Sequence, residues 1–111
     1  MVILARAIAQ EPRLLLLDEP SASLDLKHRA ELMRTLARLR EQRGLAVIMV
    51  THDLQLTGSV FDQIVALRCG EILAQGRPEE VLQSAVLSEV YGEPNVRAQR
   101  IGNQTLVWVE A

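Results

Sequence analysis

Apolar and polar positions alternate along the first fifty residues with a period that changes from helix to strand and back. Val2–Gln10 has apolar residues at helical spacing, and Glu11–Pro12 ends that helix because proline disfavours a helical residue before it. Leu14–Leu17 is a short continuous apolar run, typical of a strand buried on both faces of a parallel sheet. Its leucines are equally compatible with a helix, so periodicity alone leaves this segment open.

The strongest periodic segment is Leu26–Arg43, where apolar residues recur every three or four positions and Gly44 follows as a C-terminal cap. Leu45–Val50 is a second apolar run, rich in β-branched residues, and predicts another strand. Strand, helix and strand over this length form a crossover unit. The two strands should therefore lie parallel in one sheet.

The second half of the chain predicts hairpins and short helices, so the sheet should become mixed there. No repeat, linker or low-complexity segment interrupts it, and we predict one domain over residues 1–111 without an internal boundary. The predicted elements are a hairpin of Gln63–Leu67 and Glu71–Gln75, a helix from Pro78 through Gln83, a helix from Ser84 toward Tyr91, and a hairpin of Val96–Ile101 and Thr105–Val109.

The composition narrows the class of protein. With 49% hydrophobic and 23% charged residues, the chain has the make-up of a small globular domain. A net charge of −2 gives no basic stripe, so we expect no nucleic-acid partner. The single Cys69 excludes an internal disulfide and suits a reducing compartment, most simply as a small apolar residue. No run of eighteen apolar residues occurs, so a membrane role requires a partner.

Titratable residues follow both predicted parallel strands, namely Asp18–Glu19 after the first and His52 after the second. Ligands of open parallel sheets bind beyond the carboxyl ends of the strands. Of two adjacent carboxylates, one can hold a divalent cation through its water shell and the other can orient or deprotonate a water. An Asp-Glu pair or a histidine that occurs alone after a strand is more often a solvent-exposed turn residue or a capping residue. Together they indicate phosphoryl chemistry.

At these residues the chain resembles the ATP-binding-cassette (ABC) transporter ATPases. Leu14–Pro20 resembles their Walker B segment, Ser21–Asp25 their D-loop, and Val50–Asp53 the step that carries their switch histidine. Val2–Gln10 is similar to the helix that follows their signature motif. The resemblance implies an α/β fold: a truncated P-loop NTPase (RecA-like) core with a mostly parallel sheet, flanking helices and C-terminal antiparallel hairpins.

The resemblance also implies roles for five residues. Asp18 would hold the Mg²⁺ shell, Glu19 would polarise the hydrolytic water and His52 would sense the γ-phosphate of ATP. Ser23 and Asp25 would reach across a head-to-tail dimer to the nucleotide of a second cassette. Transmembrane permease subunits would be the other partners, and would hold the protein at the cytoplasmic face of the inner or plasma membrane.

Two later segments narrow the resemblance to importers. Gly70–Leu82 resembles the stretch after the switch histidine in importer cassettes, and Leu87–Gly92 is similar to cassettes for iron-siderophore, haemin or cobalamin uptake. The apolar residues of these segments are equally compatible with the inner face of two short helices. The resemblance thus implies the ATP-hydrolysing, energy-coupling subunit of such an importer.

The sequence lacks a Gly-x-x-x-x-Gly-Lys-Ser/Thr phosphate loop and the Leu-Ser-Gly-Gly signature. Because a phosphate loop supplies most of the hold on a triphosphate, we expect a C-terminal half that neither binds ATP tightly nor hydrolyses it alone. In the ABC family the phosphate-loop strand lies beside the switch-histidine strand. Without its N-terminal half, the chain would expose the apolar edge of the switch-histidine strand. We therefore expect the chain alone to be marginally stable.

Two alternatives stay open from the sequence. One is a non-catalytic remnant or regulatory module that keeps an ABC-type surface, which the missing phosphate loop favours. The other is the ATPase head of a DNA-repair or chromosome-organising protein, which shares the same motifs. Such heads usually carry coiled-coil insertions or basic faces, and neither is present here.

Overall fold

The computed structural model describes residues 2–57 and 60–111. Five helices and six strands occur in this part of the chain. They are α1 (Val2–Ala9), β1 (Leu14–Asp18), α2 (Leu26–Arg43), β2 (Ala46–Val50), α3 (Leu54–Thr57), β3 (Ile64–Arg68), β4 (Glu71–Gly76), α4 (Pro78–Val81), α5 (Ser84–Tyr91), β5 (Val96–Ile101) and β6 (Gln104–Val109).

The chain divides after His52 into two compact units. The first unit contains α1, β1, α2 and β2, and the second contains the remaining seven elements. The single domain expected from the sequence stays a prediction.

The first unit is built on the parallel pair β1–β2, which confirms the predicted crossover. Leu14 lies opposite Ala46 and Asp18 opposite Val50, so the two strands are in register from end to end. The joining helix α2 has the predicted bounds, with Asp25 as its N-cap and Gly44 in the left-handed region at φ 63° as its C-cap. It supplies most of the buried core of this unit, namely Leu32, Met33, Leu36 and Leu39.

The expectation that β1 is buried on both faces is wrong for this structure. Leu15 is 5% exposed, but its neighbours Leu14 and Leu16 are 49% and 67% exposed. Successive side chains of a strand point to opposite faces, so only the face that carries Leu15 is buried. Ile48 and Val50 of β2 are also exposed and continue the uncovered face by their register with Leu16 and Asp18. The described residues thus leave one apolar face of this sheet uncovered.

The second unit contains the two predicted hairpins and a small separate core. Both β3–β4 and β5–β6 are antiparallel. Its buried cluster consists of Leu82, Leu87 and Val96, against which Leu54, Ile64, Ala98 and Val107 pack. The mixed sheet expected from the sequence is not formed, because the described strands make three separate two-stranded sheets. The parallel part of the fold is therefore the β1–β2 pair.

Side-chain contacts fix α5 within the second unit at both ends. At its start, the Ser84 hydroxyl accepts the backbone N–H of Ala98 at 2.8 Å and donates to the carbonyl of the same residue at 3.3 Å. At its end, Arg68 Nη1 donates to the Glu89 carbonyl at 2.7 Å, where a cation complements the helix dipole. Gly92 caps the same end at φ 64°. Helix α5 is thereby attached to β5 and β3.

Candidate functional site

The candidate site begins where β1 and β2 end. Asp18 is the last residue of β1 and pairs with Val50, the last residue of β2. The backbone N–H of Glu19 continues the ladder by donating to the Val50 carbonyl at 2.7 Å. Because the strands are parallel and in register, the polar residues that follow each of them emerge at one edge of the sheet.

Glu19 and His52 meet at this edge. The backbone N–H of His52 donates to Glu19 Oε2 at 3.4 Å, and His52 Nε2 lies 3.3 Å from Glu19 Oε1. The His52 side chain is 93% exposed, whereas that of Glu19 is 31% exposed. Solvent screens such a contact, so it contributes little to stability and the imidazole can readily exchange Glu19 for another acceptor.

Glu19 has an unusual backbone conformation, with φ at 47° in the left-handed region. This conformation costs a residue with a side chain about 1 kcal/mol or more, and such outliers cluster at functional sites. The chain turns sharply between Asp18 and Pro20 as a result. The regular strand β1 therefore ends at Asp18, directly before Glu19.

Asp18 is exposed at the end of β1 and has the chemistry for a hard cation. The described residues contain no cluster of three or more His, Cys, Asp or Glu side chains that could form a protein cage for a metal. Mg²⁺ does not need one, because it is usually held by one or two carboxylates together with waters and substrate phosphates. Asp18, with Glu19 beside it, fits that mode of binding.

The loop after Glu19 carries the other predicted residues. Two bonds fold it into consecutive turns: Ala22 N–H to the Glu19 carbonyl at 3.2 Å, and Leu24 N–H to the Ser21 carbonyl at 3.1 Å. Ser21 is buried at the start of the loop, whereas Ser23 is exposed. The exposed position of Ser23 leaves it accessible to a ligand or a second polypeptide.

Asp25 is the residue that ends this loop and begins α2. Its Oδ1 accepts the backbone N–H of His28 at 2.9 Å and lies 2.6 Å from His28 Nδ1. The hydrogen bond from the His28 backbone, and then that from its side chain, hold the pKa of the Asp25 carboxyl below its ordinary value. Asp25 therefore has a structural function as an N-cap, whatever else its remaining lone pairs bind.

Sequence reasoning missed the capping function of Asp25 and the contribution of Arg29. Arg29 Nε donates to the Leu24 carbonyl at 3.0 Å and so ties the loop to the first turn of α2. An Asp directly before the first periodic residue of a helix is a recognised start signal, so the cap could have been predicted. Nothing in the sequence indicated the Arg29 contact.

Comparison with known proteins supports the family assignment. Residues 2–57, just over half of the chain, match the family model described as "AAA domain, putative AbiEii toxin, Type IV TA system". Over 93 residues the chain is 48% identical to the hemin import ATP-binding protein HmuV of Rhodococcus jostii, covering 84% of this chain and 32% of that protein. The chain belongs to this AAA-domain family, and its homologues are ABC transporter ATP-binding proteins. The resemblance predicted from the motifs is confirmed.

Other ABC relatives are named for the import of different substrates. The petrobactin import ATP-binding protein YclP of Bacillus subtilis is 40% identical over 103 residues, 93% of this chain and 40% of that protein. The phosphonates import ATP-binding protein PhnC of Wolinella succinogenes is 46% identical over 90 residues, 81% of this chain and 32% of that protein. The chain spans about a third of the length of these ABC relatives.

Solved structures of ABC proteins match the fold. "An inward-facing conformation of a putative metal-chelate type ABC transporter" matches with a TM-score of 0.85 at 24% identity, covering 99% of this chain and 45% of that one. CbiO1 of Clostridium perfringens, part of the transporter complex cbiONQ, matches with a TM-score of 0.68 at 31% identity, covering 79% and 35%. The fold class is confirmed as that of the P-loop NTPase domain of ABC ATPases. No helix within residues 2–57 and 60–111 is long and apolar enough to cross a membrane.

Proposed function

We propose that this chain supplies the hydrolytic edge of an ABC importer ATPase: the magnesium carboxylate, the water-orienting carboxylate and the phosphate-sensing histidine. The observation that carries the proposal is the contact between Glu19 and His52 at the shared end of two parallel strands. This is the edge of an α/β sheet at which ligands bind. The ABC relatives support nucleotide as that ligand.

Each residue would have a distinct task. The Asp18 carboxylate would hold Mg²⁺ through its water shell, and the bound cation would supply charge neutralisation for the phosphates. Glu19 would accept a proton from the attacking water or orient it, since its carboxylate is partly shielded from solvent. The exposed imidazole of His52 would leave Glu19 and contact the terminal phosphate.

The remaining parts of an ATPase site would come from other polypeptide. No phosphate loop is present in the sequence, so the grip on the triphosphate would be supplied by protein equivalent to the rest of the ABC relatives. Exposed Ser23, beside the capping Asp25, would contact the nucleotide of a second cassette in a head-to-tail dimer. Permease subunits would bind the assembled cassettes at the cytoplasmic face of the membrane.

The test is magnesium-dependent ATP hydrolysis by the purified chain, alone and mixed with a complementing polypeptide that carries a phosphate loop and a signature motif. We expect activity only in the mixture and its loss in Glu19→Gln. Glu41→Gln, an exposed exchange on α2 of the same chemistry, should leave the rate unchanged. Activity in neither sample would refute the proposal and favour a non-catalytic remnant, which the absent phosphate loop makes the natural second candidate.

We propose a chelated-iron, haemin or cobalamin cargo for the importer. The hemin and petrobactin relatives support this class, and the phosphonates relative, at a similar identity, defines the competing one. A strain of Rhodococcus jostii without its hemin import ATP-binding protein can receive the chain together with the complementing polypeptide. Restored growth on hemin as the iron source would support the proposal. Rescue only of a strain without its phosphonate import protein would contradict it.

A further inference from the structure

Arg29, in the first turn of α2, makes a side-chain contact back to the loop that precedes the helix. Its Nε–H donates back across five residues to the carbonyl of Leu24 at 3.0 Å, in a part-buried setting. Its own backbone N–H is held by the Asp25 carbonyl at 2.9 Å, so the side chain extends from a fixed point. The guanidinium thus connects the helix to the loop that precedes it.

The Leu24 carbonyl lies near the end of the loop that begins after Glu19, directly before the capping Asp25. The Leu24 N–H donates to Ser21 within the loop, so the residue is held on one side by the loop and on the other by Arg29. Further back, the Ala22 N–H is held by the carbonyl of Glu19 itself. The hydrogen-bonded path from Arg29 therefore leads through two consecutive turns to the backbone of Glu19.

We propose that Arg29 is a positioning residue, which acts through Leu24 to hold the loop at residues 20–24 and with it Ser23 and the backbone of Glu19. The inference deepens the proposed function and rests on it for its catalytic consequence. Glu19 is in a left-handed conformation that the surrounding chain must maintain. A loop tied at its far end supplies that restraint.

Arginine suits this task better than another cation. Its guanidinium is planar and permanently charged, so its donor keeps one direction, and a charged donor roughly doubles the strength of a hydrogen bond. Partial burial of the contact reduces the competition from water. Lysine retains the charge and can reach a carbonyl, but it lacks the fixed geometry.

The first experiment measures backbone hydrogen exchange in the 111-residue chain. Removal of one hydrogen bond is worth about 1 kcal/mol, so Arg29→Ala should speed the exchange of the Ala22 and Leu24 amides about fivefold. The control, Arg34→Ala, removes an exposed arginine of the same helix and should leave these amides unchanged. Equal exchange in the two variants would overturn the proposal. If Arg29→Ala does not fold, Arg29→Met, which keeps the length of the side chain and removes the donor, should show the same acceleration, and no acceleration there would overturn the proposal.

The second experiment measures ATP hydrolysis in the mixture with the complementing polypeptide. Misplacement of a reacting group lowers the rate of the chemical step, so Arg29→Ala should reduce kcat on the order of tenfold with KM unchanged, and Arg29→Lys should restore part of it. A fall that only tracks the folded fraction, measured by circular dichroism, would contradict positioning. If the unaltered mixture is inactive, the proposed function fails by itself, and the exchange result alone decides whether Arg29 holds the loop.

Discussion

Glu19 and His52 are 33 positions apart in the sequence, yet two contacts join them at the end of one parallel strand pair. The His52 backbone binds one carboxylate oxygen of Glu19 and its imidazole lies 3.3 Å from the other. The backbone contact does not involve the imidazole ring, which belongs to a side chain that is 93% exposed. We therefore expect that the imidazole can turn toward a phosphate while the backbone contact still holds Glu19.

Glu19 and His52 should act as a unit in catalysis. In the mixture with the complementing polypeptide, we expect His52→Ala and Glu19→Gln each to reduce kcat by about 100-fold or more. The double variant should be little worse than the more severe single one, because groups that act together are not additive. A double variant whose loss equals the product of the two single losses would show that the contact has no catalytic meaning.

Stability should depend on pH through the Asp25 cap. The pKa of this carboxyl is lowered in the folded chain, so its charged form contributes stability above the unfolded pKa of about 4. That contribution is lost as pH falls through the lower folded pKa. The urea midpoints of the unaltered chain and Asp25→Asn should differ at pH 6, and this difference should shrink as the pH falls through the folded pKa. A difference that persists at acid pH would contradict the linkage.

Gly92→Ala should destabilise the second unit for two separable reasons. The left-handed φ of 64° penalises any side chain by about 1 kcal/mol. The new Cβ would also lie 2.8 Å from Nη2 of Arg68, so the guanidinium would have to move away from the Glu89 carbonyl that it binds. Gly102→Ala is the matched control, because its φ is 61° and its Cβ would meet nothing within 4 Å. Urea unfolding should show the larger loss for Gly92→Ala.

The additional loss of stability in Gly92→Ala, compared with Gly102→Ala, should depend on the Arg68 side chain. In an Arg68→Ala background, Gly92→Ala should cost no more than Gly102→Ala, because the crowded guanidinium is gone. An excess that survives in this background would place its cause in the backbone.

The two faces of β1 should respond differently to truncation. Leu15→Ala removes a buried side chain and should destabilise the chain by about 2–5 kcal/mol, whereas Leu16→Ala on the uncovered face should change it by less than about 0.5 kcal/mol. The free energies of unfolding in urea measure both. Comparable losses would show that the face carrying Leu16 is covered in solution.

The sequence predicted the positions of the helices and strands better than the burial of their faces. Helix α2 and the terminal hairpin could be located because periodicity and the turn residues Gly44 and Gly102 define them locally. Burial of Leu14 and Leu16 was predicted wrongly, because an apolar run does not specify which faces another layer covers. The prediction of a mixed sheet was wrong for a related reason. Pairing of the hairpins with the parallel strands depends on long-range contacts, which local sequence patterns do not encode.

The sequence predicted which residues lie at the candidate site, but it did not predict the contacts that those residues make. Parallel strands place the residues after Asp18 and Val50 at one edge, and this follows from the order of elements alone. The cap at Asp25, the tie from Arg29 and the left-handed Glu19 depend on side-chain reach and backbone angles. Their roles in hydrolysis stay predictions.

The backbone angle of Glu19 favours a different residue at that position from the one that the proposed chemistry needs. Glycine adopts φ of 47° without steric penalty, so a Glu19→Gly chain should unfold at higher urea than Glu19→Ala. A search for stabilising substitutions would consequently favour a residue that has no carboxylate. Selection of this chain for stability alone would therefore tend to remove the carboxylate that we propose for hydrolysis.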